Sequence, residues 1–153
     1  MTRDIAREIA VQAVFGAAHS DYDPEAFLES FFDEEHYSSL AAENDLFAEY
    51  PTEKYYAYIQ NIVSKVFANL PEIDAYIQKY SRSWALNRIS GTALAVLRVA
   101  ICEILYLEDV PTGTAINSAV EIAKSYDEEA TVSFVNGVLG GFVRGEEAAA
   151  QNT

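Results

Sequence analysis

The chain has 153 residues, half of them apolar, and 24 acidic residues against 10 Lys and Arg leave a formal net charge of −14. That length suits one domain or two small packed subdomains with material for a core. The absence of a long apolar run excludes a membrane span, the polar start from Met1 to Glu8 lacks a signal peptide's apolar stretch, and a lone Cys102 excludes an internal disulfide, so a cytoplasmic protein is expected.

In chain order, Thr2 to about Ala18 predicts a first helix, with Ile5, Ile9, Ala13 and then Val14 or Phe15 recurring on one face beside Ala6, Ala10 and Ala17. Asp23-Pro24-Glu25 is a helix start: a capping carboxylate, proline at the first helical position and an acid near the positive dipole end. Phe27, Leu28, Phe31 and Phe32 form that helix's apolar face. From Glu34 to Tyr50 the pattern is ambiguous, and a loop carrying a short helix over Leu40 to Phe47 is expected. Pro51-Thr52-Glu53 opens a longer helix along Tyr56, Ile59, Ile62, Val63, Val66, Phe67 and Leu70, and Pro71 begins a shorter one facing inward with Ile73, Tyr76, Ile77 and Tyr80. After a connector over Ser81 to Ile89, Ser90 caps a helix from Gly91 to Glu108 that is apolar nearly all round and therefore predicted central and buried. Pro111 closes it, Thr112 caps the next, and the last helix is predicted to end near Arg144-Gly145, leaving residues 146–153 as a frayed tail. No strand of period two stands out, so the fold class is all-α, with about seven helices.

The charge is uneven. No Lys or Arg occurs from Glu8 to Glu53, a span holding 12 of the 24 acidic residues, while eight cations lie from Lys54 onward. Ser20 to Thr52 therefore reads as a peripheral extension with its carboxylates in water. The alternating acids of Asp21-Tyr22-Asp23-Pro24-Glu25 lack the glycine and terminal glutamate of a calcium loop, and no zinc pattern, phosphate loop or nucleophile motif appears. His19 and His36 are lone histidines, Cys102 reads as a small buried hydrophobe, and no catalytic residue, metal site or cofactor is expected.

Four motifs stand in order along the chain: Arg3 through Phe15; Trp84-Ala85-Leu86-Asn87-Arg88-Ile89; Leu97-Arg98-Val99-Ala100-Ile101-Cys102-Glu103-Ile104; and Ala115-Ile116-Asn117-Ser118-Ala119-Val120-Glu121-Ile122-Ala123-Lys124-Ser125-Tyr126 followed by Phe134-Val135-Asn136-Gly137-Val138-Leu139. Together they resemble the NusB family of small helical transcription antitermination factors. The resemblance implies one NusB-like helical domain over 1–145, with an N-terminal subdomain over about 1–80 and a C-terminal one over about 81–145. It implies binding without catalysis: recognition of boxA-type RNA jointly with NusE, a 30S ribosomal protein, in an RNA polymerase antitermination complex that supports rRNA transcription. The alternative is a helical protein-interaction module of the same fold that has lost most RNA binding, which the acidic charge favours.

Individual residues then carry expectations. Arg3 and Arg7 lie four apart on the first helix, where two guanidinium groups can grip successive phosphates; the chemistry alone is equally met by a solvated helix surface, and the resemblance assigns RNA contact. Gln12 matches the family glutamine and either reads a base edge or satisfies backbone. Phe15 stands for the family's usual Tyr, and a core role competes with a NusE contact. Ala93 occupies the position where the family often carries an acid near the NusE surface. Phe134 stacks an unpaired base if exposed and is core otherwise. Asn117 and Asn136 are amides in apolar helices, expected as buried hydrogen-bonded locks. Gly137 is expected to allow close helix packing. Arg98 interrupts the central helix and is expected to pair with another helix, for example through Glu121.

Overall fold

Helix starts follow from side chains that close orphan backbone amides. Thr2 Oγ1 accepts from the Ile5 amide at 3.2 Å, Asp23 Oδ1 from Ala26 at 2.8 Å, Asp33 Oδ2 from His36 at 3.1 Å and Ser90 Oγ from Ala93 at 3.1 Å. The computed structural model describes residues 1–82 and 85–151. Those residues hold α1 (Arg3–Ala18), α2 (Pro24–Phe31), α3 (Glu34–Leu40), α4 (Glu53–Ala68), α5 (Leu70–Tyr80), α6 (Gly91–Tyr106), α7 (Thr112–Tyr126) and α8 (Glu129–Gln151), with short 3-10 turns at Asp45–Phe47 and Leu86–Arg88 and, among the described residues, no strand. The fold is all-α, with one helix more than the pattern predicts. The extra one is α3, announced by the cap Asp33 and the first-turn acids Glu34 and Glu35; the helix expected over Leu40 to Phe47 is instead a 3-10 turn capped by Asn44. At α7 the capping position is Pro111, and no side chain closes that end. Trp84 lies outside the described residues.

The chain packs as two compact units, Met1–Ala68 and Asn69–Thr153. In the first, α1 lies against α4 and α2 against both. Ile9, Ala13 and Val14 of α1 and Ile59, Ile62, Val63 and Val66 of α4 are fully buried. Ile5 and Phe15, placed on that face by the sequence pattern, are instead 39% and 37% exposed.

The segment 20–52 is not peripheral. Its acids Glu25, Glu29, Asp33, Glu34 and Glu35 face water, but Phe31, Phe32, Tyr37 and Phe47 are buried. Tyr37 stacks on Phe32 at 5.8 Å and meets Phe47 edge-on at 5.4 Å. Its hydroxyl donates to the Glu49 carbonyl at 3.0 Å, and Tyr50 donates to the Phe32 carbonyl at 2.7 Å. Burial pushes the Tyr37 hydroxyl up to about 12. The segment is thus half solvated shell and half aromatic core, tied down by backbone acceptors.

In the second unit α6 is central, as its apolar composition predicts: Val96, Leu97, Val99, Ile101 and Cys102 are buried, and α5, α7 and α8 all pack on it. By its packing α5 belongs here, although the sequence reading put it in the first subdomain. Ile73 and Ile77 are fully buried, and the Tyr76 and Tyr80 rings meet Phe142 of α8 edge-on at 5.0 and 6.0 Å.

Arg98 pairs with Asp74 of α5, Nε to Oδ1 and Nη2 to Oδ2 both at 2.9 Å. This replaces the expected Arg98–Glu121 pair. Glu121 is exposed and bonds Lys124 Nζ at 2.9 Å on its own helix, whereas Asp74 presents both oxygens to the planar fork of the guanidinium. The tail is also more ordered than expected. α8 continues through Gly145 to Gln151, in keeping with the helix propensity of its Ala and Glu residues. Glu146 accepts from Lys79 Nζ at 3.0 Å and from the Tyr80 hydroxyl; that hydroxyl bond raises Tyr80's pKa and lowers Glu146's.

Candidate functional site

Each unit presents one candidate surface. On the first, the buried row of α1 runs Ala6, Ala10, Ala13, Val14 and Ala17, and Arg7 belongs to it, 2% exposed. Its Nη1 bonds Asp4 Oδ1 at 2.8 Å. Arg3 is half-buried, with its guanidinium carbon 4.6 Å above the Tyr58 ring centroid. The expected pair of solvent-facing arginines is therefore corrected. Arg3 as a residue is partly open to solvent, and Arg7 is a packed residue of the helix interface. The spacing of Arg7, Ala10, Val14 and Ala17 carried that signal, because steps of three and four mark one helix face.

The outward stripe of α1 is Ile5, Glu8, Gln12, Phe15 and His19, at the same steps on the opposite side. Gln12 is half-buried. The Phe15 ring lies 4.6 Å from that of His19, whose Nδ1 is 2.8 Å from the Phe15 carbonyl oxygen. Phe15 is a surface aromatic, not core. Ile5 is a further apolar group on this stripe that the sequence reading assigned to the core.

On the second unit, Phe134 and Ala93 come together. With Arg88, Ile89, Ser90, Ala130 and Thr131 they line a half-open cavity of about 190 Å³ between the start of α6 and the start of α8. Phe134 is half-buried there, and Ala93 is a wall residue 1% exposed. Ala93 therefore offers almost no contact surface of its own. Ser90, besides capping α6, lies 3.5 Å from Asp127 Oδ1. Arg88 is exposed and is the one charged residue among the described residues of the lining.

Three expected structural residues are corrected. Asn117, Asn136 and Gly137 are all exposed, because the buried rows are Ala115, Ser118, Ala119, Ile122 and Ala123 on α7 and Val135, Val138, Leu139 and Phe142 on α8. The two amides are not buried locks, and a Cβ added at Gly137 would meet nothing within 4 Å. Close backbone approach occurs instead at Gly16, where a Cβ would collide with the Phe27 ring, and at Gly145, where it would collide with Tyr80. Gly137→Ala should accordingly raise stability by about 0.5–1 kcal/mol, the helix-propensity gain at an open site. A denaturant midpoint lowered by the substitution would restore the packing role.

No helix among the described residues is long and apolar enough to cross a membrane. The architecture is that of an all-helical protein with a helix-face patch on one unit and a ring-walled cavity on the other. The chain belongs to the NusB family, whose family model matches residues 4–144. The transcription antitermination protein NusB of Alkaliphilus oremlandii is 36% identical over 146 residues, covering 95% of this chain and 96% of the relative. The solved structure of T. maritima NusB superposes with a TM-score of 0.77 at 30% identity, covering 94% of this chain and 92% of that one. A chain from a crystal structure of antitermination factors NusB and NusE in complex with dsRNA shares the fold, with a TM-score of 0.76 at 21% identity, covering 94% and 96%.

Proposed function

We propose that this protein is a transcription antitermination factor that binds boxA-type RNA jointly with the 30S ribosomal protein NusE, within an RNA polymerase antitermination complex that supports rRNA transcription in the cytoplasm. It acts by binding, without catalysis or cofactor. The observation that carries this reading is the cavity that gathers Phe134, from a family motif, and Ala93, at a position the family often fills with an acid, into one place. The NusB–NusE complex with dsRNA, whose NusB has the same fold, supports the choice of partners. In this reading Arg3 meets phosphate, Gln12 offers its amide to a base edge and Phe134 offers its ring to a base. Phe15 supplies an exposed aromatic to NusE, as aromatics do at interface centres. Ala93 shapes the NusE-side contact by leaving it without a carboxylate.

The rival reading, a protein-interaction module that has lost RNA binding, is favoured by the burial of Arg7 together with the net charge of −14. The two separate on salt dependence. With few available cations, roughly two or three phosphate contacts are expected, so log affinity for single-stranded RNA should fall with log salt at a slope of about −1.5 to −2. Arg3→Glu should weaken RNA binding in the presence of NusE several-fold more than Glu147→Gln. Equal affinity of the two variants, with no salt dependence, would favour the rival.

A further inference from the structure

We infer that Lys79 Nζ and the Tyr80 hydroxyl form a binding site for a phosphate group, and that Glu146 of α8 masks it from within the chain. The site lies at the end of α5 and uses none of the residues given a role in the proposed function.

The donors are already gathered on an anion. Lys79 Nζ donates to Glu146 Oε2 at 3.0 Å, and the Tyr80 hydroxyl donates to the same oxygen. Those bonds, that of Tyr80 foremost, hold the Glu146 carboxyl below the usual carboxylate range, so the occupant is ionised at neutral pH. The phenol is placed without it. The Tyr80 ring meets Phe142 edge-on at 6.0 Å and lies in a bare groove of α8, where a Cβ at Gly141 would touch it and one at Gly145 would collide with it. The Lys79 ammonium sits 5.2 Å from the centre of that ring, within cation–π range. With the carboxylate turned away, a phenol and an ammonium still point to one place.

The occupant is exchangeable. The Lys79 side chain is 58% exposed and that of Glu146 28%, and an ion pair this open to water contributes little. Both donors crowd onto a single carboxylate oxygen. A phosphate presents several free oxygens, so each donor can take one of its own, and a monoester adds charge as well. Masking then works by competition. Only the fraction of molecules whose Glu146 has turned away binds, and the apparent affinity falls by that fraction. The net charge of −14 opposes any anion, so the masked site is weak. Removing the one carboxylate that touches both donors should have a larger effect than removing any charge beside it.

The test titrates inorganic phosphate, and separately a short single-stranded RNA, into the full chain at fixed ionic strength, with the Tyr80 ring and Lys79 ammonium followed by NMR. Glu146→Gln should bind phosphate several-fold more tightly than wild type, with both resonances moving. Glu147→Gln, which removes the same charge one residue further on, should change the affinity far less. Adding Tyr80→Phe or Lys79→Gln to Glu146→Gln should cancel the gain while the melting transition stays cooperative. A gain with inorganic phosphate and not with RNA assigns the site to a free phosphate or monoester; a gain with RNA alone assigns it to the phosphodiester backbone. If Glu146→Gln binds neither probe more tightly than wild type, or if its gain survives Lys79→Gln, the site is wrong and Glu146 is only a clasp for α8. An equal gain from Glu147→Gln would reduce the effect to overall charge and overturn the assignment as well.

Discussion

Arg7→Glu is expected to destabilise the first unit by roughly 2–4 kcal/mol, through placing a carboxylate in a buried position without a counter-charge. The Arg7 side chain is 2% exposed and lies in the row that α1 turns toward α4. Its partner Asp4 is 80% exposed, so the pair itself contributes little; the long apolar stem packed in the interface contributes more. Arg7→Met, which keeps the stem, should therefore cost less than Arg7→Glu. In the glutamate variant the buried carboxylate loses its hydration, which is the larger part of the cost. Urea denaturation of the two variants checks the ordering. Equal midpoints for Arg7→Glu and wild type would show that the side chain is free to reach solvent, and would return Arg7 to the list of phosphate contacts. The control also matters for function, because weak RNA binding by Arg7→Glu would report unfolding and not a lost contact.

Phe142→Ala should destabilise the second unit by about 3–5 kcal/mol, the usual loss for a large buried ring. Phe142 is 1% exposed on α8 and meets Tyr76 and Tyr80 of α5 edge-on. Each edge-to-face pair adds roughly 0.5–1.5 kcal/mol beyond the area buried. The substitution removes both pairs and leaves a void that the backbone of three packed helices cannot fill. It should also loosen α5, so amide exchange over residues 70–80 should rise with exchange in α8. Protection of α5 that stays unchanged while α8 opens would mean that α5 is held by the first unit, as the sequence reading had it.

Much of the fold was legible because caps and periodicity act locally. Asp23-Pro24 and Ser90 mark their helices by side-chain acceptors whose spacing to the next free amide is fixed. Asp33 followed by two glutamates carried the same signal, obscured by the acidic run around it. The apolar surround of α6 told correctly of a central helix. Pairing was less legible: Arg98 could meet any acid on a facing helix, and only packing chooses Asp74 over Glu121. The boundary between units was likewise hidden, since an amphipathic α5 shows that it has a buried face but not which neighbour covers it.

The candidate sites were legible as residue types and misread as faces. Arg3 and Arg7 share a face by spacing, yet the row toward α4 takes in Arg7. Asn117, Asn136 and Gly137 sit among apolar neighbours in sequence, but successive helix positions turn by about 100°, so an apolar neighbour in sequence need not be a neighbour in space. The cavity was invisible in one dimension because Arg88, Ala93 and Phe134 come from the connector, α6 and α8.

Joint binding of RNA and a ribosomal protein is what separates the proposed function from its rival. The most direct measurement is a titration of fluorescent boxA-type RNA into the wild-type chain, with and without saturating NusE, at about 50 and 200 mM salt, the range over which phosphate contacts show themselves. The account predicts weak, salt-sensitive binding alone and binding at least tenfold tighter with NusE, since linked sites add affinity without new contacts on either half. It predicts no comparable gain for an RNA of scrambled sequence. Binding of NusE with no RNA affinity at either salt, alone or together, would contradict it.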